Sequence, residues 1–379
     1  MRNHVLAADW QLKEYDRIQP LDAAFNDEGW LPASAPGCVH EDLLAAGRIP
    51  DPFVALNEDL VQWVGDADWL YRCRFDLPAG LGAAPAIDLC CDGLDTFATV
   101  WLNGEQICAS DNMFVPLRVN ARARLQPTGN ELRILFESAL RQGKARESEH
   151  GARALWNGDA SRLYVRKAQY HYGWDWGPCL LTAGPWRPVR LEAYAARIAD
   201  LRCPVALSDD LQRATIDVQA VIARVPAALP VPLVLRLALL GPDGAAIATV
   251  DVPVADDAAH HTLVVSSPHL WWPNGYGAQP LYTLTATLLP AKEAAGATAN
   301  QPPSALSLQP SAFDQKELRL GARRLRLVQA PVAGEQGTSF VIEVNNTPIF
   351  CGGATWIPAD SFLPRITPER YRALVELAA

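Results

Sequence analysis

The 379-residue chain has only two methionines and no run approaching ~18 consecutive apolar residues, so no membrane-spanning helix is expected. Its eight cysteines (Cys38, Cys73, Cys90, Cys91, Cys108, Cys179, Cys203, Cys351) contain no CxxC pair and no regular spacing, which argues against a zinc ribbon or a disulfide scaffold. Most are read as buried thiols. Positive charge is the scarcer sign: 33 Lys and Arg against 42 Asp and Glu give a net charge of −9, with no basic cluster. That balance argues against a nucleic-acid partner and against an anionic membrane surface. Neither GxxxxGK[ST] nor a helix-opening GxGxxG is present, and there is no GxSxG elbow. His260, His261 and His269 suggest no metal, because adjacent side chains on a strand point to opposite faces. Residues 1–11 are broken by Asp9 and Trp10 and do not read as a signal peptide, so the expected location is cytoplasmic unless a longer precursor exists.

What is present is tryptophan, twelve of them, in a chain that is 49% hydrophobic and 20% charged and therefore of folded, globular composition. A tryptophan needs burial or a ligand for its face and an acceptor for its indole N–H. Packing accounts for most such residues, and stacking on a sugar ring would use both properties.

Period-2 alternation dominates as far as about residue 345, the pattern of antiparallel sheets with one wet face. Ala98, Val100 and Leu102 alternate with Phe97, Thr99 and Trp101, and the run ends at the hairpin pair Asn103-Gly104. Leu132, Ile134 and Phe136 repeat it, as do Leu233, Leu235, Leu237 and Leu239, and then Tyr282, Leu284, Ala286 and Leu288. The length suits two or three domains, with a first boundary near 195, where motif-dense sequence gives way to a plainer Ala/Leu/Val pattern. Residues 291–313 read as a long flexible loop inside the second domain.

Beyond residue 330 the pattern changes. Phe340, Ile342 and Val344 predict a strand, Asn345-Asn346 a turn, and Thr367-Pro368-Glu369 a helix start, with Tyr371, Leu374, Val375 and Ala378 on one face. A strand followed by an amphipathic helix opens a β/α unit, which cannot bury its own faces alone.

The densest segment runs from Arg166 to Pro188. Within it Trp174, Asp175 and Trp176 lie between Gly173 and Gly177, so a carboxylate is flanked by two indoles on a backbone that can bend sharply. This suits a polyol, whose hydroxyls the carboxylate accepts while an indole meets the C–H side of the ring. It equally suits a structural Asp that holds a loop. Local chemistry leaves both open.

The WDWGP run (Trp174–Pro178), preceded by Arg166-Lys167 and followed by Trp186-Arg187-Pro188, resembles the β-mannosidase branch of the family-2 glycoside hydrolases. The resemblance covers nearly the whole chain. Pro36-Gly37 with Val39-His40, the IPDPF stretch at 49–53, Asn57-Glu58, Gln62-Trp63-Val64 and Trp69-Leu70-Tyr71 follow in order. So do LWWPNGYGAQPLYTL at 270–284 and FVIEVNNTPIFCGGATWIPADSFLPR at 340–365. The branch commonly has Asn-Gly where Asn345-Asn346 stands, a departure around the first barrel strand.

The resemblance implies a mainly β chain: a jelly-roll sugar-binding β-sandwich over 1–195, an immunoglobulin-like β-sandwich over 196–330, and the first β/α unit of an incomplete TIM barrel over 331–379. It implies retaining exo-hydrolysis of terminal non-reducing β-D-mannose, with a β-mannoside oligosaccharide or glycan as substrate and neither metal nor organic cofactor. The two catalytic glutamates of this family lie on later barrel strands. None is assigned here, and Glu343, Glu369 and Glu376 are read as strand and helix-surface carboxylates. Asp175 takes the position that binds sugar hydroxyls, Trp174 and Trp176 shape the same wall, and Trp356 lines the pocket floor. The alternatives are an exo-β-glucosaminidase, β-galactosidase or β-glucuronidase of the same family, or a non-enzymatic carbohydrate-binding module.

Overall fold

The protein is described here by a computed structural model covering residues 1–18, 26–291, 312–334 and 336–378. It divides into two compact units, one of residues 2–193 with 356–379, the other of Met1 with residues 194–355.

The first unit holds β1 (Arg2–Val5), β2 (Trp10–Tyr15), β3 (Leu31–Pro32), β4 (Asp68–Phe75), β5 (Ala86–Cys91), β6 (Phe97–Leu102), β7 (Glu105–Ser110), β8 (Leu117–Asn120), β9 (Asn130–Glu137), β10 (Tyr172–Trp174), β11 (Gly177–Cys179) and β12 (Val189–Tyr194). Two sheets face each other, ordered β1-β12-β5-β8 and β3-β2-β4-β9-β6-β7, while β10 and β11 form a separate two-stranded ribbon. The alternation predicted for β6 decides which side chains enter the core. Ala98, Val100 and Leu102 join Leu132, Ile134 and Phe136 of β9 between the sheets, while Trp101 packs with Leu70 and Leu135 on the outer face. Asn103 and Gly104 both have positive φ, 52° and 85°, and so close the β6–β7 hairpin in two residues.

Three short helices matter to the site: α1 (Val39–Ala45), α2 (Asn57–Leu60) and α3 (Trp63–Asp66), with α4 (Ala139–His150) farther along the chain. Phe362 from the terminal segment is wholly buried in this unit's core, with His40 stacked on it at 5.6 Å and Phe53 edge-on at 5.5 Å.

The second unit contains β13 (Ala196–Arg202), β14 (Val205–Leu207), β15 (Arg213–Arg224), β16 (Leu233–Leu240), β17 (Ala246–Pro253), β18 (Ala258–Ser266), β19 (Tyr282–Pro290), β20 (Asp314–Leu320), β21 (Leu325–Val328), β22 (Val341–Val344) and β23 (Thr347–Ile349). One sheet places β15 between β18 and the pair β13 and β14; the other runs β17-β16-β19-β20. Leu233, Leu235, Leu237 and Leu239 meet Tyr282, Leu284, Ala286 and Leu288 in a core shared by both sheets. The loop expected at 291–313 lies, apart from its ends, outside the described residues.

The opening β/α unit of a barrel is not seen among the described residues. β22 pairs antiparallel with both β21 and β23; Asn345 and Asn346, with φ of 50° and 63°, turn the chain straight back from β22 into β23. No strand follows between residues 350 and 362. The expected helix does form, α5 (Pro368–Ala378), with the Thr367 hydroxyl accepting from the Arg370 N–H at 3.3 Å, but none of its residues is buried. Among the described residues no helix is long and apolar enough to cross a membrane.

Candidate functional site

The WDWG run folds as the β10–β11 ribbon, with Tyr172 opposite Cys179 and Trp174 opposite Gly177, so Asp175 and Trp176 form its tip. Gly173 permits this with φ of 86°, and a Cβ there would sit 3.2 Å from that of Cys179. Asp175 is exposed, and its carboxylate has no hydrogen bond or ion pair among the described residues. A charged acceptor held at a turn without a protein partner is available to a ligand.

The indoles beside it differ. Trp176 is 38% exposed and lies tilted over Tyr170 at 6.1 Å. Trp174 is partly buried, with the Arg162 guanidinium 5.6 Å from its ring and the Trp156 ring perpendicular to it at 5.0 Å. Trp156, which sequence reasoning passed over, is 76% exposed. Trp356 is also open, yet it makes no ring contact and no hydrogen bond among the described residues. It belongs to an irregular segment, not to the end of a strand.

Side chains from α2 and the turn before α3 hold the ribbon's other strand. The Glu58 carboxylate accepts from the Cys179 N–H at 2.6 Å, and the Gln62 amide donates to the Cys179 carbonyl at 2.9 Å and to the Glu58 carbonyl at 2.9 Å. Both backbone polar groups of one β11 residue are therefore satisfied by side chains.

Behind the ribbon runs a buried polar chain. Lys167, fully buried, pairs with Asp95 and donates to the Thr182 carbonyl and hydroxyl at 2.8 and 3.0 Å. The Thr182 hydroxyl donates to Asp95 at 2.7 Å and lies 3.3 Å from His171 Nδ1. His171 Nε2 stands 3.0 Å from the Ser361 carbonyl, which only accepts, so that nitrogen carries the proton. Burial opposes the Asp95 charge, but Lys167 and His171 beside it hold its carboxyl below the ordinary carboxylate range. Burial, and next the Lys167 charge, pull both His40 and His171 down to about 3. Both rings are neutral at neutral pH.

The remaining carboxylates considered above are placed elsewhere. Glu343 lies on β22, 3.7 Å from Arg326, and Glu369 and Glu376 are exposed on α5. His260 and His261 fall on β18, with His260 exposed and bonded to Asp217. Of the thiols, Cys38, Cys73, Cys90 and Cys91 are buried, and Cys351 is exposed.

The galactose-binding domain-like profile of glycosyl hydrolase family 2 matches residues 10–187, and a second profile of that family matches residues 196–298. The chain is 43% identical over 99% of its length to β-mannosidase B of Thermothelomyces thermophilus, covering 40% of that protein. It is 40% identical to β-mannosidase B of Emericella nidulans, again over 99% of the chain and 41% of the relative. Among solved structures, a β-D-mannosidase from Dictyoglomus thermophilum superposes with a TM-score of 0.83 at 33% identity, covering 99% of this chain and 42% of that one. A β-glucuronidase from Bacteroides uniformis, 18% identical with a TM-score of 0.65, covers 99% of this chain and 38% of its own and shares the fold alone. The chain thus spans about two-fifths of the length of the relatives it matches.

Proposed function

Because this chain belongs to glycosyl hydrolase family 2, we propose that it is the N-terminal part of a β-mannosidase-like enzyme that removes terminal non-reducing β-D-mannose with retention. The observation that carries this reading is the unpartnered Asp175 carboxylate at the tip of the WDWG ribbon. Each carboxylate oxygen accepts a sugar hydroxyl, and a charge-assisted hydrogen bond contributes about 1.5–3 kcal/mol. Trp176 offers its exposed face to the ring, Trp174 braces the turn, and Trp356 supplies the floor. We keep the division at 1–195, 196–330 and 331–379 as part of the proposal, the last segment leading toward the catalytic domain.

Retaining hydrolysis needs an acid and a nucleophile about 5–5.5 Å apart. We place both outside these 379 residues, since Glu343 is tied to Arg326 and Glu369 and Glu376 sit on the surface of α5. Sugar held on one wall alone stays wet on its other side, so the expected Kd of mannose for this chain is on the order of millimolar.

Two measurements test the reading. Mannose titrated into the chain and followed by NMR should shift the Asp175 and Trp176 resonances, and Asp175→Ala should abolish the response. An unaltered titration in that variant would remove Asp175 from the site. The purified chain should show no turnover of an aryl β-mannoside, and measurable turnover would place the catalytic pair within it.

A further inference from the structure

Resting on that reading, we propose that Trp156 is the stacking platform for a second pyranose ring, the sugar joined to the unit held by Asp175. Trp174, next to Asp175 in the chain, is already engaged by the Arg162 guanidinium and by the edge-to-face contact with Trp156. It braces the ribbon and has little surface left to offer. The large aromatic surface lying in water one contact away is Trp156, 76% exposed, with no hydrogen bond from its indole N–H among the described residues. An exposed indole of that size leaves roughly 150–250 Å² uncovered that a ligand gains by covering.

Trp156 is also held in place, which a stacking platform requires. Its plane stands at 84° to Trp174, and among the described residues no second ring or cation lies on its faces: Arg153 lies over Tyr164 and Arg162 over Trp174. The loop that carries it is anchored from below. Buried Arg162 donates to the Asn157 side chain at 2.9 Å, and the Asp159 carboxylate accepts from the Ser161 N–H at 2.9 Å. Gly158, at φ of 73°, lets the backbone pass close to Arg162, for a Cβ there would lie 3.1 Å from that guanidinium. One arginine thereby fixes both walls of the corner, Trp174 by its cation and the Trp156 loop by its hydrogen bond.

The ligand chemistry follows from the surface. An open indole face selects a ring with one apolar face, and the axial C–H groups of a pyranose present such a face to the negative π cloud. Asp175 lies one residue beyond Trp174, so the natural occupant is the ring glycosidically joined to the first.

The test compares methyl β-mannoside, with one ring, and mannobiose, with two, on the whole 379-residue chain by NMR of the indole N–H groups. The Trp156 indole should move with mannobiose, and mannobiose should bind about five- to tenfold more tightly than the monosaccharide, the usual worth of an aromatic contact. In Trp156→Ala that ratio should fall to about one, with Trp156→Phe in between. A preserved ratio in Trp156→Ala, or a Trp156 resonance that ignores mannobiose, overturns the proposal. The outcome is separable from the fate of Asp175: if Asp175→Ala leaves both ligands bound as before while Trp156→Ala still erases the ratio, only the reading of Asp175 fails.

Discussion

At the scale of single residues, the ribbon tip separates side chains that hold the fold from one that does not. Asp175 is exposed and makes no hydrogen bond or ion pair among the described residues, so Asp175→Ala should change unfolding free energy by no more than about 0.5 kcal/mol, as for an ordinary surface site. Gly173, two residues earlier, should behave oppositely. Its φ of 86° and the 3.2 Å approach of a built Cβ to Cys179 predict that Gly173→Ala destabilises by about 1 kcal/mol or more. Urea unfolding of the two variants checks the contrast, and equal losses would mean that Asp175 has a structural role after all. The tryptophans divide by the same logic. Trp10, Trp69 and Trp186 donate their indole N–H groups to the carbonyls of Leu6, Val64 and Met113 at 2.7, 2.9 and 2.8 Å. Trp156, Trp176 and Trp356 donate to no described residue and stand open.

At the scale of elements, β10 and β11 span only three residues each, too short to be rigid alone. Glu58 and Gln62 take the part of a third strand by satisfying both polar groups of Cys179. Replacing Glu58 with Ala leaves a partly buried N–H unpaired, a loss of about 1–3 kcal/mol felt locally. The Cys179 amide should then exchange with solvent about five- to a hundredfold faster, given 1.4 kcal/mol per decade. Exchange that stays slow would show that pairing with β10 suffices. The WDWGP run was visible in the sequence, but its support was not, since Glu58 lies 121 positions and Gln62 117 positions from Cys179. The strand at 341–344 shows the opposite failure: the element was correctly expected, yet its antiparallel partners on both sides follow from pairing that periodicity does not encode.

At the scale of the whole molecule, buried titratable groups set a pH dependence. His40 and His171 are held near 3 in the folded protein and titrate near 6.5 when unfolded, so unfolding takes up their protons as the pH falls below 6.5. Asp42, raised to about 7 chiefly by burial despite its bonds from Tyr71 and Ser34, acts in the reverse sense, for the folded state holds its proton first. Between about pH 6 and 4 the unfolded chain binds two protons from the histidines and the native state one from Asp42, a difference of one. Stability is therefore full above neutrality and should fall by about 1.4 kcal/mol per pH unit through that window. Asp42→Asn removes the opposing group and should steepen the fall about twofold. Urea midpoints measured from pH 7.5 to 4.5 check both slopes, and stability that stays level or rises on acidification would contradict the assignment.

The sequence by itself determined the strands of both sandwiches, because a side chain on a pleated strand has two choices of face and alternation records the choice, as at Ala98, Val100 and Leu102. It also determined the bend at Gly173 and the turn at Asn103-Gly104, where backbone conformation is a property of the residue itself. Tertiary structure alone decided which indoles stay open, which side chains clamp the ribbon, and that His40 and His171 lie near one buried ion pair. Exposure and pairing depend on what the distant parts of the chain bring alongside, and no local pattern carries that information.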